Sequence, residues 1–188
     1  MKSKAVVMGG SAGGLSALSK ILSHLPKSFP FPVMVVLHLD PRGGRQLPKL
    51  LGNHCGLVVK EAEDTEEIRP GRVYIAPAGY HLLVERDYTL SLSVDEPVNF
   101  SRPAIDVLFQ SAAEAYGPSL VGVIMTGASR DGSMGLRSVK EFGGTAIVQD
   151  PSVAQAPLMP AAAIKATKVD HILDLDHIGL FLTKLEIS

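Results

Sequence analysis

The chain has 188 residues, the length of one domain, and its 46% apolar and 20% charged residues exclude a disordered or collagen-like polypeptide. Eighteen Lys and Arg against nineteen Asp and Glu leave a formal net charge of −1, so no global field draws it to nucleic acid or to an anionic membrane. One cysteine, Cys55, excludes an internal disulfide framework, and no stretch approaches the ~20 apolar residues of a membrane span. The expectation is one soluble, cytoplasmic domain over residues 1–188, with no signal peptide ahead of its first apolar run.

Short β-branched runs alternate with longer helical stretches, which predicts an α/β fold with a mostly parallel, doubly wound sheet. The first run, Ala5 to Met8, ends at Gly9-Gly10. Leu15, Leu18, Ile21, Leu22 and Leu25 then recur at helical spacing until Pro26 stops them. Val33 to Leu37 is continuously apolar, as a strand buried on both faces must be. A helix through Leu47, Leu50 and Leu51 and a strand at Leu57-Val58-Val59 follow. Glu61 to Glu67 reads as a solvated acidic connector, and Val73 to Ala76 as another strand. His81–Glu85 and Thr89–Val94 flank Arg86-Asp87-Tyr88 and predict an antiparallel hairpin. Pro103 stands near the start of a helix carrying Ile105, Leu108 and Phe109. The second half alternates strictly: strands at 120–125, 145–148 and 171–173, helices at 134–142, 160–166 and 178–185.

In open parallel sheets, ligands bind beyond the carboxyl ends of the strands. Three polar residues stand just past predicted strands: Ser11, His38 and Asp131. They are a nucleophile, a base and an orienting acid. Ser11 lies in Gly9-Gly10-Ser11-Ala12-Gly13, which fits G-x-S-x-G between a strand and a helix, with the Ala12 N–H placed to face a developing oxyanion. The same segment also reads as a glycine-rich anion loop in which Ser11 is only a helix N-cap, although it lacks the Walker A lysine and the G-x-G-x-x-G spacing. Asp131 reads equally as the N-cap of the next helix, and Asp150 is the rival acid at a strand end. The order Ser…His…Asp differs from that of the α/β-hydrolases. His24, His54, His171 and His177 lack a strand-end position, while His81 begins a hairpin placed to overhang the site. No histidine pair has metal-ligand spacing and one cysteine builds no thiolate site, so neither a metal nor a cofactor is expected.

These residues also resemble a family: the chemotaxis-receptor protein-glutamate methylesterases, specifically the CheB catalytic domain. The family's G-A-S-T-G-G is similar to Gly9-Gly10-Ser11-Ala12-Gly13-Gly14, and its strand-end histidine matches His38 in Val36-Leu37-His38-Leu39. Its Y-I-A-P-x-x-x-H matches Tyr74 to His81, and its R-P-S-V-D-V-L-F is nearly intact in Arg102 to Phe109. T-G-M-G-x-D-G-A-x-G-L resembles Thr126 to Leu136, followed by Gly143-Gly144, Val148-Gln149-Asp150 and Met159-Pro160-Ala161-Ala162-Ala163. The blocks run in family order from about residue 4 to 185.

The resemblance implies a Ser11–His38–Asp131 triad, with Asp131 rather than Asp150 as the acid, and an oxyanion site made by backbone N–H groups near Ala12 and Ala128. It implies hydrolysis of glutamate side-chain methyl esters on the cytoplasmic domain of a methylated chemoreceptor, with release of methanol and, in some members, deamidation of glutamine. The receiver domain that regulates many members is expected to be absent from these 188 residues. Ala12 stands where the family has threonine, Ala128 where it has methionine and Ser129 where it has glycine, and Arg130 puts a cation beside the acid, either to stabilise the Asp131 carboxylate or to compete with His38 for it. Two alternatives stay open: a receptor- or signalling-protein-binding module with its site impaired at these positions, or an esterase for another substrate.

Overall fold

The computed structural model describes residues 4–38, 47–53 and 55–185. Its first half runs β1 (Ala5–Gly10), α1 (Gly14–Leu22), β2 (Val33–Leu37), α2 (Leu47–Gly52), β3 (Val58–Glu61), β4 (Arg72–Ile75), β5 (His81–Val84) and β6 (Leu90–Ser93). The second half runs α3 (Ile105–Tyr116), β7 (Leu120–Ile124), α4 (Ser133–Glu141), β8 (Thr145–Gln149), α5 (Leu158–Ala166), β9 (His171–Leu173) and α6 (Leu175–Thr183). The strand and helix pattern read from the sequence is the one observed. The first helix is shorter than its apolar spacing predicts, because past Leu22 it tightens: His24 N–H bonds the Ile21 carbonyl and Leu25 N–H the Leu22 carbonyl, both three residues back.

Seven strands form a sheet in the order β3-β4-β2-β1-β7-β8-β9, and every pairing in it is parallel. Strands β1, β2 and β7 are buried along their whole length, which is why their sequences are continuously apolar. Alternate side chains divide between two cores. Ala5 and Val7 join Leu108, Phe109 and Ala112 of α3, Leu136 of α4 and Ala163 of α5. Val6 and Met8 join Leu18 and Ile21 of α1, Leu51 of α2 and Ile178 of α6 on the other face. The β5–β6 hairpin is antiparallel and stands apart from the sheet, and its Leu82, Val84 and Leu90 share the α3 core. Among the described residues no helix is long and apolar enough to cross a membrane.

The acidic connector is not merely solvated. Ala62 and Ile68 within and beside it are buried, and Leu90 N–H bonds the Glu66 carbonyl (2.7 Å) while Ile68 N–H bonds the Tyr88 carbonyl (3.0 Å). Its backbone therefore secures the hairpin, while Lys60 pairs with Glu63 and Glu66. The chain leaves β1 toward one edge of the sheet and reaches β7 on the other side of β1 only later. Strands β1 and β7 thus bound a topological switch point, where the loops that follow them part.

Candidate active site

Parallel register brings the candidate residues together. Gly10 pairs with Leu37 across β1 and β2, so Ser11 and His38 are the next residues out. The His38 N–H donates to the Gly10 carbonyl (3.0 Å), and the Ser11 N–H donates to the Thr126 carbonyl at the end of β7 (3.0 Å). Ser11 thus stands at the carboxyl edge of β1, between the ends of β2 and β7.

Ser11 is not the cap of α1. The N-cap is Gly13, in the left-handed region at φ 78° and without a side-chain capping bond. The Ser11 carbonyl instead accepts the Gly14 N–H (2.7 Å) in a tight turn. Thr126, 2% exposed, ties this turn in place: its Oγ1 donates to the Ala12 carbonyl (2.9 Å) and accepts the Ala156 N–H (2.8 Å), while its own N–H donates to Gln149 Oε1 (2.7 Å). Ala12 and Ala128 both lie at the surface of the loops that flank this crevice.

Of the two rival acids, Asp131 is the one that meets His38. Its Oδ2 accepts a hydrogen bond from His38 Nε2 at 2.9 Å. Asp150 accepts the Ser152 N–H (2.8 Å) in the turn after β8. With Nε2–H donating to a carboxylate, neutral His38 carries its lone pair on Nδ1, the nitrogen left to take a proton. The His38 side chain keeps 15% of its surface exposed, whereas that of Asp131 keeps none.

Asp131 does not cap the helix that follows it, as its position alone suggests. The N-cap of α4 is Gly132 (φ 91°), where a Cβ would meet Ile124 and Ile105 side-chain atoms at 2.6–2.7 Å. The Asp131 carboxylate caps α3 instead, accepting the N–H groups of Ile105 (2.6 Å) and Asp106 (3.1 Å) at a helix start whose own N-cap residue, Ala104, has no side-chain acceptor. Gly132 N–H (3.0 Å) and Asn99 Nδ2 (3.0 Å) complete five donors among the described residues. Burial pushes the Asp131 carboxyl up, but the bonds from His38, Ile105, Asn99 and Asp106 outweigh it and hold the group below the usual carboxylate range.

Sequence reasoning missed the partner of this arrangement. Asp106, in the first turn of α3, accepts the Gly135 N–H at the start of α4 (2.6 Å), so each acid caps the other's helix. Asn99 Nδ2 bridges them, donating to Asp106 Oδ2 (2.8 Å) as well as to Asp131. Burial pushes the Asp106 carboxyl up, and the Asp131 charge beside it adds to the rise, against the donors Gly135 and Asn99. Arg130 is exposed and lines a surface groove with Ser133, Leu158 and Lys165, so the neighbouring cation does not displace His38 from Asp131.

His81 is 2% exposed and packed rather than overhanging. Its Nδ1 accepts the Ala104 N–H (3.2 Å) and its Nε2 donates to the Glu96 carbonyl (3.1 Å), which binds the hairpin to the segment entering α3. His24 pairs with Asp176 and His177 with Asp174, neither of them with a residue of this site, and His54 lies outside the described residues.

The family model described as CheB methylesterase matches residues 6–182. Two Leptospira interrogans proteins, provisionally named protein-glutamate methylesterase/protein-glutamine glutaminase, are 48% identical over 186 residues, covering 99% of this chain and 96% of theirs. A Thermotoga maritima protein-glutamate methylesterase/protein-glutamine glutaminase is 39% identical over 173 residues, covering 90% of this chain and 50% of that protein. The crystal structure of the Thermotoga maritima CheB methylesterase catalytic domain superposes with a TM-score of 0.94 at 38% identity, covering 99% of this chain and all of that one.

Proposed function

Because this chain belongs to the CheB methylesterase family, we propose that it hydrolyses methyl esters of glutamate side chains on the cytoplasmic domain of a chemoreceptor, releasing methanol, through Ser11, His38 and Asp131. The observation that carries the reading is the His38 Nε2–Asp131 Oδ2 bond beside a serine on a strand-to-helix turn.

The ionised Asp131 fixes the tautomer of His38, so that Nδ1 accepts the Ser11 proton as Oγ attacks the ester carbonyl. The imidazolium that forms lies against the Asp131 charge. Backbone N–H groups at Ala12 and Ala128 are assigned to the oxyanion, and since the donors are backbone, the alanines at these positions do not remove them. His38 returns the proton to the leaving methoxide, giving methanol, and water then releases glutamate from Ser11 by the same path in reverse. Attack on a glutamine side chain by the same groups releases ammonia, in keeping with the glutaminase names of the relatives.

The test is methanol release from a methylated chemoreceptor cytoplasmic fragment. Wild type is expected to release it and His38→Ala to lose at least ~10³-fold of the rate. Binding of the fragment without any release by wild type, on a fragment that another esterase demethylates, overturns the proposal in favour of a binding module.

A further inference from the structure

We infer that Phe100 is a specificity-determining residue that docks the apolar surface of the protein substrate beside the scissile ester, an inference that rests on the esterase reading above. Val98 and Ser101 exchange two backbone bonds, N–H to carbonyl at 3.1 and 2.9 Å, and close a turn around Asn99 and Phe100. Both central residues lie at positive φ, 52° and 62°. This is the pattern of a two-residue I′ turn, whose favoured sequence is Asn-Gly. Asn99 fits it: asparagine tolerates the left-handed region, and its amide joins Asp106 to Asp131.

Phe100 does not fit it. A bulky residue in that conformation is an outlier where glycine is strain-free. Its ring returns nothing to the fold, being fully exposed at 105% of its reference area and stacked on no other ring among the described residues. Two costs to folding, a strained backbone and a hydrated aromatic, are thus placed one residue from a side chain that touches Asp131. Aromatic anchors of this kind dominate binding where a partner covers them.

The anchor is also held ready. Arg102 Nη1 donates to the carbonyls of Val94 (2.7 Å) and Asp95 (3.0 Å), and His81 fixes Glu96 and Ala104, so the segment is pinned on both sides of the turn. Little ordering is left for binding to supply. Val94 and Val98 on the same segment are exposed as well. A small ester reaches only the catalytic groups, whereas an ester on a protein brings the aliphatic surface of its own segment, and that surface is the occupant.

The experiment compares kcat and KM for methanol release from the methylated receptor fragment with those for a blocked glutamate γ-methyl ester. Phe100→Gly is expected to raise KM for the fragment, so that selectivity for protein over small ester falls about tenfold. Phe100→Tyr is expected to recover most of it. The melting temperature of Phe100→Gly is expected to stay level or rise, because glycine relieves the turn. An unchanged selectivity ratio overturns the inference, as does an equal loss on both substrates with a lowered melting temperature. Wild type acting on the small ester but not on the fragment also overturns it, whereas wild type acting on neither overturns the esterase reading itself.

Discussion

The two sides of the crevice are built on different principles. The serine side is backbone: a glycine turn, bonds from Ser11 and Gly14 N–H groups to carbonyls, and a serine that stays partly exposed. The acid side is side chain: two buried carboxylates, Asp131 and Asp106, cap each other's helices and share Asn99. A nucleophile needs access and can be removed without disturbing what holds it. An orienting acid must stay ionised while buried, and only converging donors achieve that. The fold has made those donors the starts of α3 and α4, so helix packing and, under the proposed mechanism, catalysis depend on one carboxylate.

The sharpest way to break the contrast is Asp131→Asn. It puts an amide N–H₂ among donors, with an expected loss of about 3 kcal/mol of stability and ~10⁴-fold of turnover; urea unfolding and methanol release read the two. Wild-type stability should also fall in acid. The folded Asp131 carboxyl lies below its unfolded value, so its contribution is present above the unfolded pKa, near ~3.9, and is lost as pH falls through the lower folded value. Asp106 has the opposite sign, favouring the fold at low pH and losing that contribution as pH rises through its raised value. Unfolding free energies below pH ~4 should therefore decline less steeply in Asp131→Asn than in wild type. A smaller effect is expected at the bridge. Asn99→Gly keeps the left-handed backbone and removes only the amide, costing about 1–3 kcal/mol and on the order of tenfold in turnover; equal stability to wild type would show that the bridge carries no energy.

The same contrast explains what could be read from the sequence. Strand runs, the glycine turn and three polar residues at strand ends are local patterns, and Ser11, His38 and Asp131 stand out from them. The reciprocal caps are not local. Asp106 sits inside Arg102-Pro103-Ala104-Ile105-Asp106 as an ordinary first-turn acid, and only the approach of α4 gives it Gly135 as donor. Asn99 lies in a segment with no periodicity. Nothing in its sequence neighbours names Asp131 as the partner. The resemblance to a family supplied the substrate class, which spacing alone left open. The acidic connector misled for the opposite reason: Glu61, Glu63 and Glu67 do face water, while its backbone holds the hairpin.

The central claim is that Ser11 is the nucleophile and that the fold does not depend on it. The direct measurement is methanol release by Ser11→Ala from the methylated receptor fragment, made alongside urea unfolding of the same preparation. The account predicts a protein within about 0.5 kcal/mol of wild-type stability and release reduced by at least ~10⁴-fold. Release within tenfold of wild type by that folded variant would contradict it.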